Sequence, residues 1–412
     1  MRVVAVLWLV AMATTACSRV VTVVTPEPTA WPVPGHSANS DPWLVNHNLV
    51  ITSMKPAVLV LNFDPSQSKT QTEQYAKQVV TGLAAGSMYH GYSNPAATPF
   101  LNYQIANVID LTSAPLPVSA TSALALDVTA LFNDATYPPL YGYSDGGSGF
   151  LSLCQLFEQG VINEVWIQDG GDASATPRAP LYAERKQEYD ADWQAIPGTF
   201  QSCLGGNTSC LNVSCGVTVR IAHLDPAMSG GPGCDVSVRG WGIDSMWSVL
   251  PGAAPEANAF LNLDFNTRFP GVSFTGWPQI CAGSALCISY PSPTVASNAP
   301  GLSTTFTIDP FLQGCGNSYY PSNGTFYGDF QNSVAVDARC EHFGLGDGPG
   351  GRDLYTSYSG AVVADYDQTY TGTSACPAGW QIYWRQSMPG YQNQAKATDG
   401  TPMKNWWPML FY

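Results

Sequence analysis

Asn163-Glu-Val-Trp-Ile-Gln-Asp-Gly-Gly-Asp172 decides how this chain folds. Val165, Trp166 and Ile167 are consecutive apolar residues, the mark of a strand covered on both faces. Asp169-Gly-Gly-Asp172 then breaks the run into an acidic loop, where two glycines let the backbone turn sharply and approach a ligand.

Working upstream, Ala57-Val-Leu-Val-Leu-Asn-Phe63 is a second continuous apolar run and ends at Asp64-Pro65. Thr70 and Glu73 have capping-box spacing and predict a helix from about Gln71 to Ala85, with Tyr75, Val79 and Leu83 on its buried face. Asn102 to Ile109 reads as the next strand, ending at Asp110. Phe150, Leu151, Leu153, Cys154 and Phe157 predict the buried face of a short helix that Gly160 stops. Downstream, Val217 to Leu224 is another strand, ending at Asp225, and Asp235 to Trp241 is a weaker one. Strands alternating with helices predict an α/β fold with a largely parallel central sheet and flanking helices. Beyond about residue 255, glycine, proline, aromatics and cysteine replace helical periodicity. The expected layout is a leader over 1–17, a Pro-rich tether over 18–55, an α/β body over 56–270 and a loop-rich, disulfide-linked aromatic region over 271–412 packed on the body.

The leader reading rests on Arg2, a short apolar run from Val3 to Ala13, and Thr14-Thr15-Ala16-Cys17. The run is too short to span a bilayer. It predicts an exported chain, with Cys17 as a lipidation site and the lipid as its sole tie to a membrane. Ten further cysteines, nearly all after residue 200, fit disulfides of an oxidising compartment. Cys281 with Cys287, and Cys203 with Cys210 or Cys215, are close candidate pairs. Charged residues are only 11% and the formal charge is -14, so nucleic acid and anionic polymers are poor partners and a neutral carbohydrate is a better one.

Four predicted strands end on an aspartate: Asp64, Asp110, Asp169 and Asp225. In open α/β sheets ligands bind beyond the carboxyl ends of the strands. Converging carboxylates there suit an acid–base pair as in glycoside hydrolysis, with Asp169 and one of Asp64, Asp172 or Asp225 as candidates. No cofactor is required; a calcium or magnesium ion is the alternative use of the same oxygens. Read structurally, the aspartates are turn formers and caps, and the protein is a carbohydrate-binding or structural surface lipoprotein. Trp166, Trp384, Trp406 and Trp407, with Asn323, are candidates for sugar stacking and hydrogen bonding, or else core. Gly142-Tyr-Ser144-Asp-Gly146 matches a nucleophile elbow and could draw on His223 or His342, but Pro138-Pro139 block the strand it needs. His223 is otherwise an interior histidine with a partner.

The chain resembles an uncharacterised family of secreted bacterial proteins. The resemblance rests on Glu164 to Ile167, Cys315 to Gly324, Tyr327 to Asn332, Trp380 to Gly390 and Lys404 to Trp407. It implies a shared fold and export. Members carry a His-rich segment after the position of Arg239-Gly240; here that segment reads Trp-Gly-Ile-Asp-Ser-Met-Trp, so no histidine chemistry is implied there.

Overall fold

The computed structural model describes residues 29–31, 44, 47, 50–119, 122–169, 182–190, 195–201, 208–224, 256–261, 288–293, 295–298, 305–307, 314–316, 321–324, 332–363 and 378–411. Two short strands come first, β1 (Thr29–Trp31) and β2 (Ile51–Met54), paired in parallel. The body follows with β3 (Ala57–Asn62), α1 (Lys69–Gly86), β4 (Gln104–Asp110), the small hairpin of β5 (Val118–Ser119) and β6 (Ser122–Leu126), and three short helices. These are α2 (Ala130–Asn133), α3 (Pro138–Tyr141) and α4 (Leu153–Glu158). Next come β7 (Glu164–Gln168), β8 (Tyr182–Tyr189), β9 (Ala195–Gln201), β10 (Thr208–Cys210) and β11 (Val219–His223).

The main sheet has the order β10-β8-β11-β7-β3-β4, with β9 paired to β8. Strands β4, β3, β7 and β11 are mutually parallel, while β8 runs antiparallel to β11. The expected largely parallel α/β sheet with flanking helices is what the chain forms. The antiparallel strand was not legible, because Tyr182 to Tyr189 is dominated by charged and polar residues. It is tolerated inside because Glu184 accepts a 2.7 Å hydrogen bond from Arg220 Nε on β11, both buried.

Burial on both faces explains the apolar runs. Val58 and Val60 face α1 together with Trp166, whereas Leu59, Leu61, Val165, Ile167, Val219 and Ile221 face α4. Helix α1 begins two residues earlier than expected. Ser68 is its N-cap, and Ser68 with Gln71 forms the capping box in place of Thr70 with Glu73. Its predicted face is buried at Tyr75, Val79 and Leu83. In α4, Ser152 and Gln155 make a second capping box, and Gly160 adopts φ +67 just beyond it. Phe150, expected on the buried face, is 45% exposed because it precedes the cap and pairs with Ser144 instead.

The C-terminal region supplies one wall of the core. α5 (Ala257–Leu261) and α6 (Ala378–Gln386) bring Phe260, Trp380, Tyr383 and Trp384 into the cluster that covers β3 and α1. Gln386 Nε2 donates to the carbonyl of Ala85 at 2.8 Å, tying α6 to the end of α1. The cysteine pairs at disulfide distance are Cys154–Cys215 and Cys315–Cys340. The first corrects the pairing of Cys215 with Cys203 and places a cross-link in the body, between α4 and the loop entering β11. The remaining cysteine pairings, the strand after Asp235 and the leader with Cys17 lie outside the described residues. None of the described helices is long and apolar enough to cross a membrane.

Candidate functional site

Chain order fixes where a ligand could sit. From β3 the chain crosses to β4 on one side, then returns to β7 on the other. The carboxyl ends of β3 and β7 therefore diverge from a topological switch point, where open α/β sheets bind ligands. Asn62 of β3 is the register partner of Gln168 of β7, so Asp64 and Asp169 leave neighbouring strands at this edge. His223 ends β11 on the far side of β7, in register with Ile167.

The side chains sort into two pairs. Asp169 Oδ1 lies 2.7 Å from His223 Nε2, with the side chains 0% and 2% exposed. A carboxylate is acceptor-only when ionised, so Nε2 carries the hydrogen and donates it. His223 shares the strand face of Val219 and Ile221, toward α4. The second pair is weaker. Gln168 Nε2 stands 3.5 Å from Asp64 Oδ2, at the limit of a hydrogen bond. Asp64 Oδ1 accepts from the backbone N–H and the hydroxyl of Ser66, at 2.8 and 2.7 Å. That is an Asx turn, and it holds the chain as it leaves β3. Asn62 Oδ1 accepts from the Asp64 N–H at 3.0 Å and completes the turn.

The two candidate aspartates thus stand at one edge but engage different partners. Asp110 also forms a local turn, accepting from the Thr112 N–H and hydroxyl at 3.1 and 2.7 Å, and it is exposed. Asp172 and Asp225 lie outside the described residues. Sequence reasoning took His223 only as an interior residue or a distant triad member. Its alternation with Val219 and Ile221, at a strand end beside Asp169, was the signal that could have paired them.

The other candidate residues are placed as follows. Trp166, Trp384, Trp406 and Trp407 are each at most 1% exposed, so none offers a ring face to a sugar. They are core because they cover the α1 face of the sheet, with Trp406 edge-on to Phe260 at 5.6 Å. Asn323 is fully buried and structural: its Nδ2 donates to the carbonyls of Asn332 and Val334 at 2.8 and 2.7 Å. Ser144 is exposed, its Oγ accepts from the Gly146 N–H at 3.1 Å, and it follows α3 instead of a strand. His342 pairs with Asp347 at 2.7 Å. Among the described residues no histidine is bonded to Ser144. Among the described residues no three His, Cys, Asp or Glu side chains converge as a metal site.

No family model, curated protein or solved structure matches the chain. The site is therefore read from its own chemistry.

Proposed function

We propose that the carboxyl edge of the parallel strands is a hydrolytic site on an exported surface protein, with Asp169 and His223 as its acid–base pair and a neutral polysaccharide as substrate. The observation that carries this reading is the buried 2.7 Å Asp169–His223 bond at the switch point. In this arrangement His223 takes a proton from a water as its oxygen bonds to the glycosidic carbon, and returns that proton to the departing glycosidic oxygen as the C–O bond breaks. Asp169 orients the ring and stabilises the imidazolium that forms. Low dielectric around a buried pair strengthens that stabilisation. Asp64 stands at the same edge, with its Oδ2 3.5 Å from Gln168 Nε2. This replaces the two-aspartate arrangement expected from sequence with a carboxylate and an imidazole. The charge of -14 favours an uncharged substrate, and the cysteine pairs at disulfide distance fit an exported chain anchored through Cys17.

A second reading has its own support. Asp64 and Asp110 are turn formers, as a carbohydrate-binding or structural surface lipoprotein without catalysis requires. A screen of purified protein against plant and microbial polysaccharides, with and without chelator, separates the two. The hydrolytic reading expects new reducing ends with at least one polymer, reduced about 10²–10⁴-fold in His223→Gln. Binding with no release of ends by the wild type supports the second reading.

A further inference from the structure

The hydrolytic reading leaves open how the site recognises what it acts on, and the orientation of His223 bears on that. Asp169 occupies Nε2, so in the neutral ring Nδ1 is the lone-pair acceptor. Nδ1 is buried and, among the described residues, no group bonds it. Gln168 repeats the pattern on the adjacent strand. Its Nε2 faces Asp64 Oδ2 at 3.5 Å, the orientation that turns a donor and not an acceptor toward a carboxylate. Its Oε1 is then a second buried acceptor that no group among the described residues bonds, on a side chain 0% exposed. Alternation along β7 places Gln168 on the face opposite Ile167, so these acceptors bracket the strand end from its two sides. Buried acceptors left unpaired are costly, so two at one ligand-binding edge mark a place for a donor.

We propose, resting on the reading of this edge as the substrate site, that the protein holds its ligand through the ligand's own hydroxyl donors, with His223 Nδ1 as first acceptor and Gln168 Oε1 as second. The complementary ligand is an uncharged polyol such as a sugar chain. A carboxylate offers acceptors only, and the O–H of hydrogen phosphate comes with negative charge, so both would bring charge to an edge that carries Asp64 and Asp169. The strand's own cation does not reverse this: Arg220 lies on the other face of β11 from His223 and is bonded to Glu184.

The test is ¹⁵N NMR of the full chain at pH 7.5, with the His223 signals assigned by their loss in His223→Gln. The expected spectrum shows a neutral ring protonated at Nε2 and bare at Nδ1. Maltohexaose, cellotetraose and mannohexaose are then added in separate arms, with inorganic phosphate as the anionic arm. At least one sugar should move the Nδ1 resonance in the direction of an accepted hydrogen bond, and phosphate should leave it in place. His223→Gln keeps a donor near the Nε2 position and should fold while losing at least tenfold in affinity for that sugar. A ring protonated at Nδ1, an imidazolium at this pH, or a response to phosphate alone or to no probe overturns the proposal. So does undiminished sugar binding by a folded His223→Gln. The outcomes also separate the two readings. Sugar binding at Nδ1 with no cleavage refutes hydrolysis and leaves this recognition standing, while cleavage by a protein protonated at Nδ1 does the reverse.

Discussion

The two ends of β7 carry two buried carboxylates five residues apart, and they are held in different ways. At the entry, Glu164 accepts from the Tyr103 hydroxyl on Oε1 at 2.8 Å and from Trp166 Nε1 on Oε2 at 3.0 Å. The Tyr103 and Trp166 rings pack 5.5 Å apart around it. Both donors keep their protons through the physiological range. At the exit, Asp169 is bonded by an imidazole, a ring with a second nitrogen that can accept while the first donates. The entry carboxylate can only hold position, whereas the exit carboxylate belongs to a pair that can move a proton. Burial alone does not tell a structural acid from a chemical one; the partner does.

The entry end is surrounded by other devices that fix the strand. Cys154 and Cys215 join α4 to the loop before β11, Gly160 turns the chain into β7, and Glu158 Oε1 accepts from the Gly216 N–H at 2.8 Å. Breaking these should cost stability and leave the exit chemistry intact. The largest effect is expected for Glu164→Leu, which strands the Tyr103 and Trp166 donors in the core. At about 1–3 kcal/mol for each unsatisfied group, urea unfolding should show a loss of about 2–6 kcal/mol. Replacing Cys154 and Cys215 together with serine should cost about 2–4 kcal/mol, read from the same unfolding curves. Gly160→Ala puts a Cβ into a backbone at φ +67 and should lower stability by about 1–2 kcal/mol. In all three, hydrolysis per folded molecule should stay within a fewfold of wild type. A collapse of activity in any of them would merge the two ends into one functional unit.

A pH dependence belongs to neither end of β7. His90, beyond α1, is pushed down to about 4 by burial and then by the nearby His342. Between about pH 4 and the unfolded value near 6.5, the unfolded chain holds a proton that the folded chain does not. Stability should therefore rise with pH across that window. The slope should flatten in His90→Asn, a residue that tolerates the φ of +53 found at this position. An unchanged slope between pH 4 and 6.5 would move its source away from His90.

The frame of the fold was legible because it rests on local patterns. β3, β7 and β11 are near-continuous apolar runs, and α1 and α4 show their buried faces in the spacing of Tyr75, Val79 and Leu83 and of Leu153 and Phe157. The site was half legible. Strand-end position brought out Asp64 and Asp169, and the order of strands put them at one edge. Which partner each would take was not, because it depends on register between strands. His223 lies 54 residues beyond Asp169, and nothing local specifies the pairing of β11 with β7. The tryptophans misled for a related reason. A ring that stacks on sugar and a ring that covers a sheet look alike until the packing of α6 and the tail on α1 is known.

The central claim is that the exit of β7, and not its entry, carries the chemistry. Its most direct test compares Asp169→Asn with Glu164→Gln on whichever polysaccharide the wild type cleaves, measuring kcat/KM and thermal midpoint for each. The account predicts that Asp169→Asn loses about 10²–10⁴-fold in kcat/KM with a small change in midpoint, while Glu164→Gln lowers the midpoint and keeps kcat/KM within a fewfold. Full activity in a folded Asp169→Asn protein would contradict it.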